Sequence, residues 1–298
     1  MAILSLPAPL RRGDRVRIPC PASALTEQDR LQDGMALLRQ WGLQVTVPAG
    51  QWQRRWGDLA GSDRERLADF QVAEGEEPRL WACARGGWGS ARLLEQGLTA
   101  PQGWLLGFSD VTSLLWAKTA AGSGGAVHGP LITSLASEPA WSQERLRQLL
   151  FGEALPPLRG QGLRGGHVTG PLMAANLTVA THLLGSTHLP PLAGAVLVLE
   201  DVGEAPYRLD RLLTHWRLLG LLQRLGGIGL GRFSPCDGPD AAAEQRGIRQ
   251  VLEERCGDLG IPLVTDLPIG HGAGGNGALP LSVPARLDGD SGLLCLAS

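Results

Sequence analysis

The residues with the clearest potential for chemistry lie in the stretch Gly107-Phe108-Ser109-Asp110, which follows the apolar run Trp104-Leu105-Leu106. A segment of helical character begins directly afterwards at Val111. A serine at a tight turn between a strand and a helix exposes its hydroxyl, and the helix N-terminus favours negative charge that develops there. The Gly-x-Ser-x-Gly pattern of such turns is incomplete, because Val111 occupies its fifth position. Ser109 and Asp110 would equally fit a helix N-cap.

A nucleophilic serine requires a base to accept its proton, a carboxylate to orient that base, and backbone N–H groups to bind the oxyanion. Among the six histidines, His271 and His128 are the candidates for the base. Glycines on both sides of His271 favour an accessible imidazole, so we prefer it. His128 is predicted at a strand end in the same domain as Ser109. The remaining histidines are interpreted as structural or solvated: His167, His182, His188 and His215.

Glu200 is the best candidate for the carboxylate, because a run of apolar residues directly precedes it. A carboxylate at this point is either held at a strand end or buried, and a buried carboxylate requires a partner. Histidine is a suitable partner, since the hydrogen bond fixes the tautomer of the imidazole. The alternative is a structural ion pair of Glu200 or Asp201 with Arg208 or Arg211.

Two glycine-rich stretches could bind an anionic group. Arg85-Gly86-Gly87-Trp88-Gly89 is predicted between a strand and a helix, where its N–H groups could face an oxyanion, although an ordinary tight turn fits equally well. Gly270-x-Gly272-x-x-Gly275 matches the dinucleotide-binding pattern. No helix is predicted after it, because Ala278-Leu279-Pro280-Leu281 follows, and we do not interpret it as a nucleotide site.

Composition excludes several classes of function. The chain has 298 residues, of which 43% are hydrophobic and 19% charged, and this predicts a folded protein with a large core. A net charge of -2 without a long basic run argues against nucleic acid as a partner. No apolar run reaches the length of a membrane span, and the N-terminus is not interpreted as a signal peptide. The five scattered cysteines argue against a disulfide framework or metal site and favour a cytoplasmic protein.

The order of predicted elements indicates the architecture. Strands alternate with helices in the first half, which predicts an α/β fold with a parallel sheet and a site beyond the carboxyl ends of its strands. We predict an N-terminal domain over residues 1–150, a crossover over 151–166 and a second domain over 167–298. Capping boxes predict helix starts after Thr26 and after Ser62.

Several stretches together resemble the LD-carboxypeptidase family of serine peptidases, which includes the murein tetrapeptide LD-carboxypeptidases and the microcin C self-immunity peptidases. No single stretch is diagnostic, but they follow the family order over nearly the whole chain. The matching stretches are Leu59-Ala60-Gly61-Ser62-Asp63, Arg85-Gly86-Gly87-Trp88-Gly89-Ser90, Gly107-Phe108-Ser109-Asp110-Val111-Thr112, His128-Gly129-Pro130, Asn176-Leu177-Thr178, Leu199-Glu200-Asp201-Val202-Gly203-Glu204 and Pro268-Ile269-Gly270-His271-Gly272.

The resemblance implies a catalytic triad with Ser109 as nucleophile, His271 as general base and acid, and Glu200 as the residue that orients the histidine. It also implies an oxyanion hole formed by the backbone N–H groups of Gly87 and Asp110. The family fold is an N-terminal Rossmann-like domain and a C-terminal β-rich α+β domain, with the active site in the cleft between them. The family further implies a homodimer that needs no metal or other cofactor.

The resemblance also predicts a reaction: hydrolysis of the amide between the L-centre of a diamino acid and a terminal D-alanine in muropeptides, during peptidoglycan recycling. Gly86 and Trp88 are the expected substrate contacts. Trp88 stands where the family has tyrosine, and Ala174-Ala175 where it often has two glycines, so the fit of substrate near both is open. The alternatives are cleavage of peptide–nucleotide conjugates, as in the immunity peptidases, and a non-catalytic binding module on the same fold.

Overall fold

The structure is a computed structural model that describes residues 3–234 and 241–297. Within these residues the chain forms two β-sheets with helices packed against them. No helix in these two stretches is long and apolar enough to cross a bilayer.

The elements are numbered in chain order. The strands are β1 (Arg15–Arg17), β2 (Gln44–Thr46), β3 (Leu80–Ala82), β4 (Trp104–Gly107), β5 (Ala126–His128), β6 (Leu158–Arg159), β7 (Gln161–Arg164), β8 (His167–Asn176), β9 (Val196–Val202), β10 (Gly227–Ser234), β11 (Leu263–Thr265), β12 (Leu279–Pro280), β13 (Pro284–Asp288) and β14 (Leu293–Leu296). The helices are α1 (Gln28–Gln40), α2 (Asp63–Ala68), α3 (Ala91–Glu95), α4 (Thr112–Ala120), α5 (Ile132–Leu135), α6 (Ala140–Phe151), α7 (Leu177–His182), α8 (Pro206–Leu218) and α9 (Ala241–Cys256), with short 3-10 helices at Ser109–Val111 and Leu222–Arg224.

The first sheet has the strand order β12-β5-β4-β3-β1-β2. Strands β1 to β5 pair in parallel, and their central members are buried on both faces, as expected when helices cover both sides of a parallel sheet. The predicted α/β fold is therefore confirmed. The edge strand β12 was not predicted: it comes from far along the chain and pairs antiparallel with β5.

The second sheet has the order β6-β14-β13-β8-β9-β10-β11-β7. Strands β8 to β11 are parallel, and the flanking strands are antiparallel, including the C-terminal hairpin of β13 and β14. Strand β8, which begins at His167, was not predicted. Residues 151–166 contribute β6 and β7 to this sheet, and the domain boundary there stays a prediction.

Helix α4, which follows the Ser109 turn, packs against the second sheet. In α4, Trp116 is fully buried and donates a hydrogen bond from Nε1 to the carbonyl of Ala174 in β8 at 2.9 Å. The Trp116 ring also meets that of Trp216 in α8 edge to face, with centroids 6.2 Å apart. The Ser109 turn is thereby fixed to both sheets.

The two predicted capping boxes have opposite outcomes. At Ser62 the box is confirmed: its hydroxyl accepts from the Glu65 N–H at 3.3 Å, and the Glu65 carboxylate accepts from the Ser62 N–H at 2.8 Å. At Thr26 the prediction is wrong, because α1 has Glu27 as its N-cap without a side-chain capping bond. The Thr26 hydroxyl instead accepts a hydrogen bond from Nη1 of Arg85 at 2.9 Å.

Candidate active site

Ser109 lies in a strained turn at the carboxyl end of β4. Phe108 is extended, and Ser109 has a φ of 61°, a left-handed conformation that non-glycine residues rarely adopt. Such a conformation costs on the order of 1–3 kcal/mol and is concentrated at functional sites. A Cβ on Gly107 would lie 2.6 Å from a methyl carbon of Val111, so only glycine allows the chain to turn this tightly. The 3-10 helix and α4 follow directly and place the partly exposed Ser109 at a helix N-terminus.

The glycine loop after β3 faces this turn. A Cβ on Gly86 would lie 3.2 Å from Oγ of Ser109, so the bare backbone of Gly86 borders the hydroxyl. Gly87 has a φ of 104°, and a Cβ there would lie 2.1 Å from Oγ of Ser23. The same Ser23 hydroxyl accepts the N–H of Trp88 at 3.2 Å, which fixes the loop. Glycine is thus required at position 87, and the Trp88 side chain stays 49% exposed beside it.

Asp110 connects the glycine loop to the serine turn. Its buried carboxylate accepts the N–H of Ser90 at 2.8 Å, and its carbonyl accepts the Ser90 hydroxyl at 2.6 Å. Burial raises the pKa of Asp110, and the hydrogen bonds from Ser90 oppose this rise. The side chain is therefore occupied with holding the loops together. The Asp110 N–H lies in the first turn of the 3-10 helix, where N–H groups have no partner within the helix.

Glu200 and His271 form a hydrogen-bonded pair. Oε2 of Glu200 lies 2.7 Å from Nδ1 of His271 and accepts the backbone N–H of the same residue at 3.2 Å. Burial raises the pKa of Glu200, but the hydrogen bonds and charge of His271 and the charge of His128 together outweigh burial and hold this pKa below its ordinary value. The alternative ion pairs with Arg208 or Arg211 are absent from the described residues: Arg208 binds Glu204 at 3.5 Å, and the Arg211 guanidinium lies 5.5 Å from the centre of the Tyr207 ring.

Neighbouring polar groups hold Asp201 in a structural position. Its carboxylate accepts Nδ2 of Asn176 at 2.9 Å and the N–H of Thr178 at 2.9 Å. Asn176 itself caps α7 by accepting the N–H of Val179 at 3.0 Å. Asp201 therefore stabilises the start of α7, while the preceding Glu200 contacts His271.

Gly270 allows His271 to reach the buried carboxylate. It has a φ of 98°, and a Cβ there would lie 2.6 Å from Cβ of Glu200. Any side chain at position 270 would therefore push the His271 loop away from β9. No helix follows this glycine-rich loop, because Leu279 already belongs to β12, which agrees with rejecting a dinucleotide site.

Arg232 and Asn276 bind the backbone of the His271 loop, and neither was predicted from the sequence. The half-buried Arg232 guanidinium donates to the carbonyls of His271 at 2.6 Å, Gly270 at 2.5 Å and Gly275 at 2.6 Å. Burial lowers the pKa of Arg232. Oδ1 of Asn276 accepts the Gly270 N–H at 2.9 Å. A lone arginine in the apolar strand β10 was the signal that could have revealed this support.

Phe108 brings the serine turn and the histidine loop together. Its ring centroid lies 4.6 Å from that of His271 and 5.7 Å from that of His128. The two candidate bases differ in exposure: the His271 side chain is 22% exposed, whereas His128 is fully buried. The structure therefore places Glu200 and His271 in contact and His271 beside the residue that precedes Ser109.

Two family models match the chain: the LD-carboxypeptidase N-terminal domain over residues 16–129 and the LD-carboxypeptidase C-terminal domain over residues 169–287. A Synechocystis sp. protein with the provisional name carboxypeptidase is 46% identical over 294 residues, covering 97% of this chain and 96% of that protein. The murein tetrapeptide carboxypeptidase of Pseudomonas aeruginosa is 35% identical over 300 residues, covering 93% of this chain and 94% of the relative.

Solved structures agree in fold. A muramoyltetrapeptide carboxypeptidase from Oxalobacter formigenes has a TM-score of 0.81 at 25% identity, covering 94% of this chain and 97% of that chain. The protein MccF in complex with glutamyl sulfamoyl guanosine has a TM-score of 0.80 at 20% identity and shares the fold over 98% of both chains. The fold and the relatives together define a serine-type peptidase. More specifically, the chain belongs to the LD-carboxypeptidase family.

Proposed function

We propose that this protein is an LD-carboxypeptidase that removes a terminal D-alanine from muropeptides by cleaving its amide bond to the L-centre of a diamino acid. The observation that carries the proposal is the Glu200–His271 pair, with its 2.7 Å hydrogen bond, beside the strained Ser109 turn. The names of the Pseudomonas aeruginosa and Oxalobacter formigenes relatives support the muropeptide substrate.

The proposed chemistry follows the order of a serine hydrolase. The Glu200 carboxylate holds Nδ1 of His271, which leaves Nε2 free to accept the proton as Oγ of Ser109 attacks the substrate carbonyl. His271 then gives that proton to the departing D-alanine amine, and Ser109 keeps the remainder of the peptide as an ester. Water, activated by the same imidazole, hydrolyses the ester and restores the serine.

The oxyanion would be bound by the N–H groups of Gly87 and Asp110. Both belong to segments that the structure fixes next to Ser109: Gly87 by its close approach to Ser23, and Asp110 by its bonds to Ser90. Removal of one oxyanion donor typically costs about 10²–10³ in kcat. Gly86 and Trp88 are proposed as substrate contacts, because Gly86 borders the nucleophile and Trp88 is exposed.

The runner-up is hydrolysis of peptide–nucleotide conjugates. This activity requires an aromatic ring on a loop near the cleft that can stack on the base. Phe151, the one aromatic residue of the predicted crossover, is partly buried at the end of α6, and the Arg147 guanidinium lies 6.0 Å above its ring. This observation disfavours the conjugate. A non-catalytic binding module is the third possibility.

A substrate panel separates these functions. Purified protein would be incubated with a muropeptide tetrapeptide ending in D-alanine, the same peptide ending in L-alanine, and an aspartyl sulfamoyl adenosine, and the released amino acid measured by chiral chromatography. We expect release of D-alanine alone. Preferential release of aspartate would replace the proposal with the conjugate activity, and no release from folded protein would favour a binding role.

The proposed assembly and location follow from the resemblance and the cysteine pattern. We propose a cytoplasmic homodimer, in agreement with Cys20, Cys83 and Cys256, which are buried and free of disulfides in the described part of the chain. Light scattering coupled to size-exclusion chromatography tests the dimer directly. A single species at the 31.5 kDa of one chain would contradict it.

A further inference from the structure

Four buried polar atoms in the candidate active site have no hydrogen-bond partner in the described part of the chain. They are Oε1 of Glu200, both ring nitrogens of His128 and Nδ2 of Asn276. Buried polar atoms in proteins are nearly always hydrogen-bonded, either to protein or to ordered water. Oε2 of Glu200, by contrast, receives both donors of His271. The unpaired atoms therefore indicate a contact that the chemistry described so far does not use.

His128 occupies a fixed position beside the serine turn. It ends β5, and its Cα lies opposite Gly107 of β4 and Leu279 of β12. Its ring meets Phe108 edge to face at 5.7 Å and 65°, and the Phe108 ring in turn lies 4.6 Å from His271. One aromatic ring thus contacts both imidazoles of the site. With 0% of its surface exposed, His128 is unsuited to meet a substrate directly.

Burial keeps the His128 imidazole neutral. Burial lowers its pKa to about 4, and the two other titratable groups that act on it are opposed: the charge of Glu200 raises the pKa and that of His271 lowers it. A neutral imidazole carries one N–H donor and one acceptor, whereas an ionised carboxylate only accepts. His128 therefore offers the kind of hydrogen that Oε1 of Glu200 lacks.

We propose that His128 is a positioning residue that acts through Glu200, its ring N–H held to Oε1 through one buried water molecule. The water accepts from the imidazole and donates to the carboxylate, and so satisfies a polar buried site in the way that internal waters do. The carboxylate is then fixed at both oxygens, and Oε2 stays directed at His271. This inference rests on the proposed triad.

Two substitutions separate positioning from packing. His128→Phe keeps a ring against Phe108 and removes the N–H donor, whereas His128→Gln loses the ring and keeps an N–H donor. The exposed His182 at the end of α7 provides the control variant His182→Gln. The measurements are kcat and KM for D-alanine release, and the NMR resonance of the His271 Nδ1 proton in protein without substrate.

We expect His128→Phe to lower kcat at least tenfold with KM unchanged and to shift the His271 Nδ1 proton towards the position of a weaker hydrogen bond. His128→Gln should keep both values closer to those of the wild type and of His182→Gln. If His128→Phe behaves as wild type in both measurements and His128→Gln does not, His128 only packs, and the proposal is wrong.

The NMR measurement is independent of the proposed substrate. If wild-type protein releases no D-alanine, the proposed function fails, but the His271 proton still reports whether His128 acts on Glu200. If His128→Phe does not fold, His128→Leu replaces it, and equal NMR spectra of His128→Leu and His128→Gln would overturn the proposal.

Discussion

Glu200 is fully buried and ionised, a state that is unfavourable without a partner. Hydrogen bonds from His271 stabilise its charge. The imidazole and the backbone N–H of one residue both reach the same oxygen, so the charge is stabilised where it can also fix the tautomer of the base. Sequence reasoning could predict this pair, because a carboxylate after an apolar run requires a partner. It could not predict that Oε1 of Glu200 has no partner in the described residues, because this depends on the relative positions of β5 and β9.

The orientation of His271 by Glu200 has a kinetic consequence. In Glu200→Gln, an amide replaces the carboxylate at nearly the same volume, so the imidazole loses both its charge partner and its enforced tautomer. We expect kcat to fall about 10³–10⁴-fold with little change in KM. The control is Glu204→Gln, since Glu204 forms an ion pair with Arg208 at 3.5 Å rather than with His271. Retention of more than a tenth of wild-type kcat in folded Glu200→Gln would argue against the proposed triad.

The lowered pKa of His128 predicts how the free energy of unfolding depends on pH. Burial lowers its pKa from the ordinary 6.5 to about 4, so between these values the unfolded chain binds a proton that the folded protein excludes. The free energy of unfolding therefore falls as pH falls through this window. Above about pH 6.5 the neutral His128 no longer reduces it. From pH 7.5 to pH 5 the loss should be about 2 kcal/mol.

Urea unfolding at these two pH values tests the shift. Wild-type protein should lose about 2 kcal/mol more than His128→Gln on acidification, because glutamine does not titrate. Equal losses in the two proteins would show that His128 is protonated equally readily in the folded and unfolded states. That result would also contradict the neutral state of His128 on which its proposed role depends.

At the scale of elements, loops rather than strands decide the geometry of the site. The His271 loop is determined by close approach at Gly270 and by the three carbonyl contacts of Arg232. The serine turn is determined by Gly107 and the glycine loop by Ser23. The sequence showed where these loops lie but not which side chains hold them, because such contacts join residues far apart in the chain.

Substitution of Gly270 tests the importance of this close approach. In Gly270→Ala the new methyl group would overlap Cβ of Glu200 at 2.6 Å in a left-handed conformation, so we expect at least a tenfold loss of kcat. Gly260→Ala is the matched control: its φ is 76°, but nothing lies within 4 Å of the added carbon. The control should lose about 1 kcal/mol of stability and no activity. Equal kinetics in both variants would refute the steric argument.

Local patterns predicted elements well where the responsible groups are close in sequence. The Ser62 capping box is confirmed because its partners lie three residues apart and no distant group competes. The Thr26 box failed because Arg85, from another loop, takes the hydroxyl. Strand β8 was missed, because its exposed and partly buried residues give way to a buried run at Leu172 and are interrupted by glycine and proline.

At the scale of the whole molecule, the two halves both contribute to the larger of two hydrophobic clusters. A continuous cluster of buried side chains includes Leu105 and Trp116 from the first half and Leu172 and Trp216 from the second. Strand β12 also returns from the second half to complete the first sheet. The proposed residues come from both halves, Ser109 from one and Glu200 and His271 from the other, so the site depends on this shared packing.

The family and the parallel first sheet could be inferred from ordered motifs, since each motif marks a strand end or loop of a known arrangement. The exchange of β12 between the halves could not, because a strand of two residues carries no periodicity. The same holds for the contribution of residues 151–166 to the second sheet, where β6 and β7 are recognised only by their pairing.

The most direct test of the proposed function is D-alanine release from a muropeptide tetrapeptide by wild-type protein and by Ser109→Ala, with substrate binding to the variant measured by calorimetry. We expect release by wild type, a loss of at least about a thousandfold in Ser109→Ala, and retained binding, because the hydroxyl serves the reaction rather than recognition. Undiminished release by folded Ser109→Ala would contradict the proposed triad, since another group would then be the nucleophile.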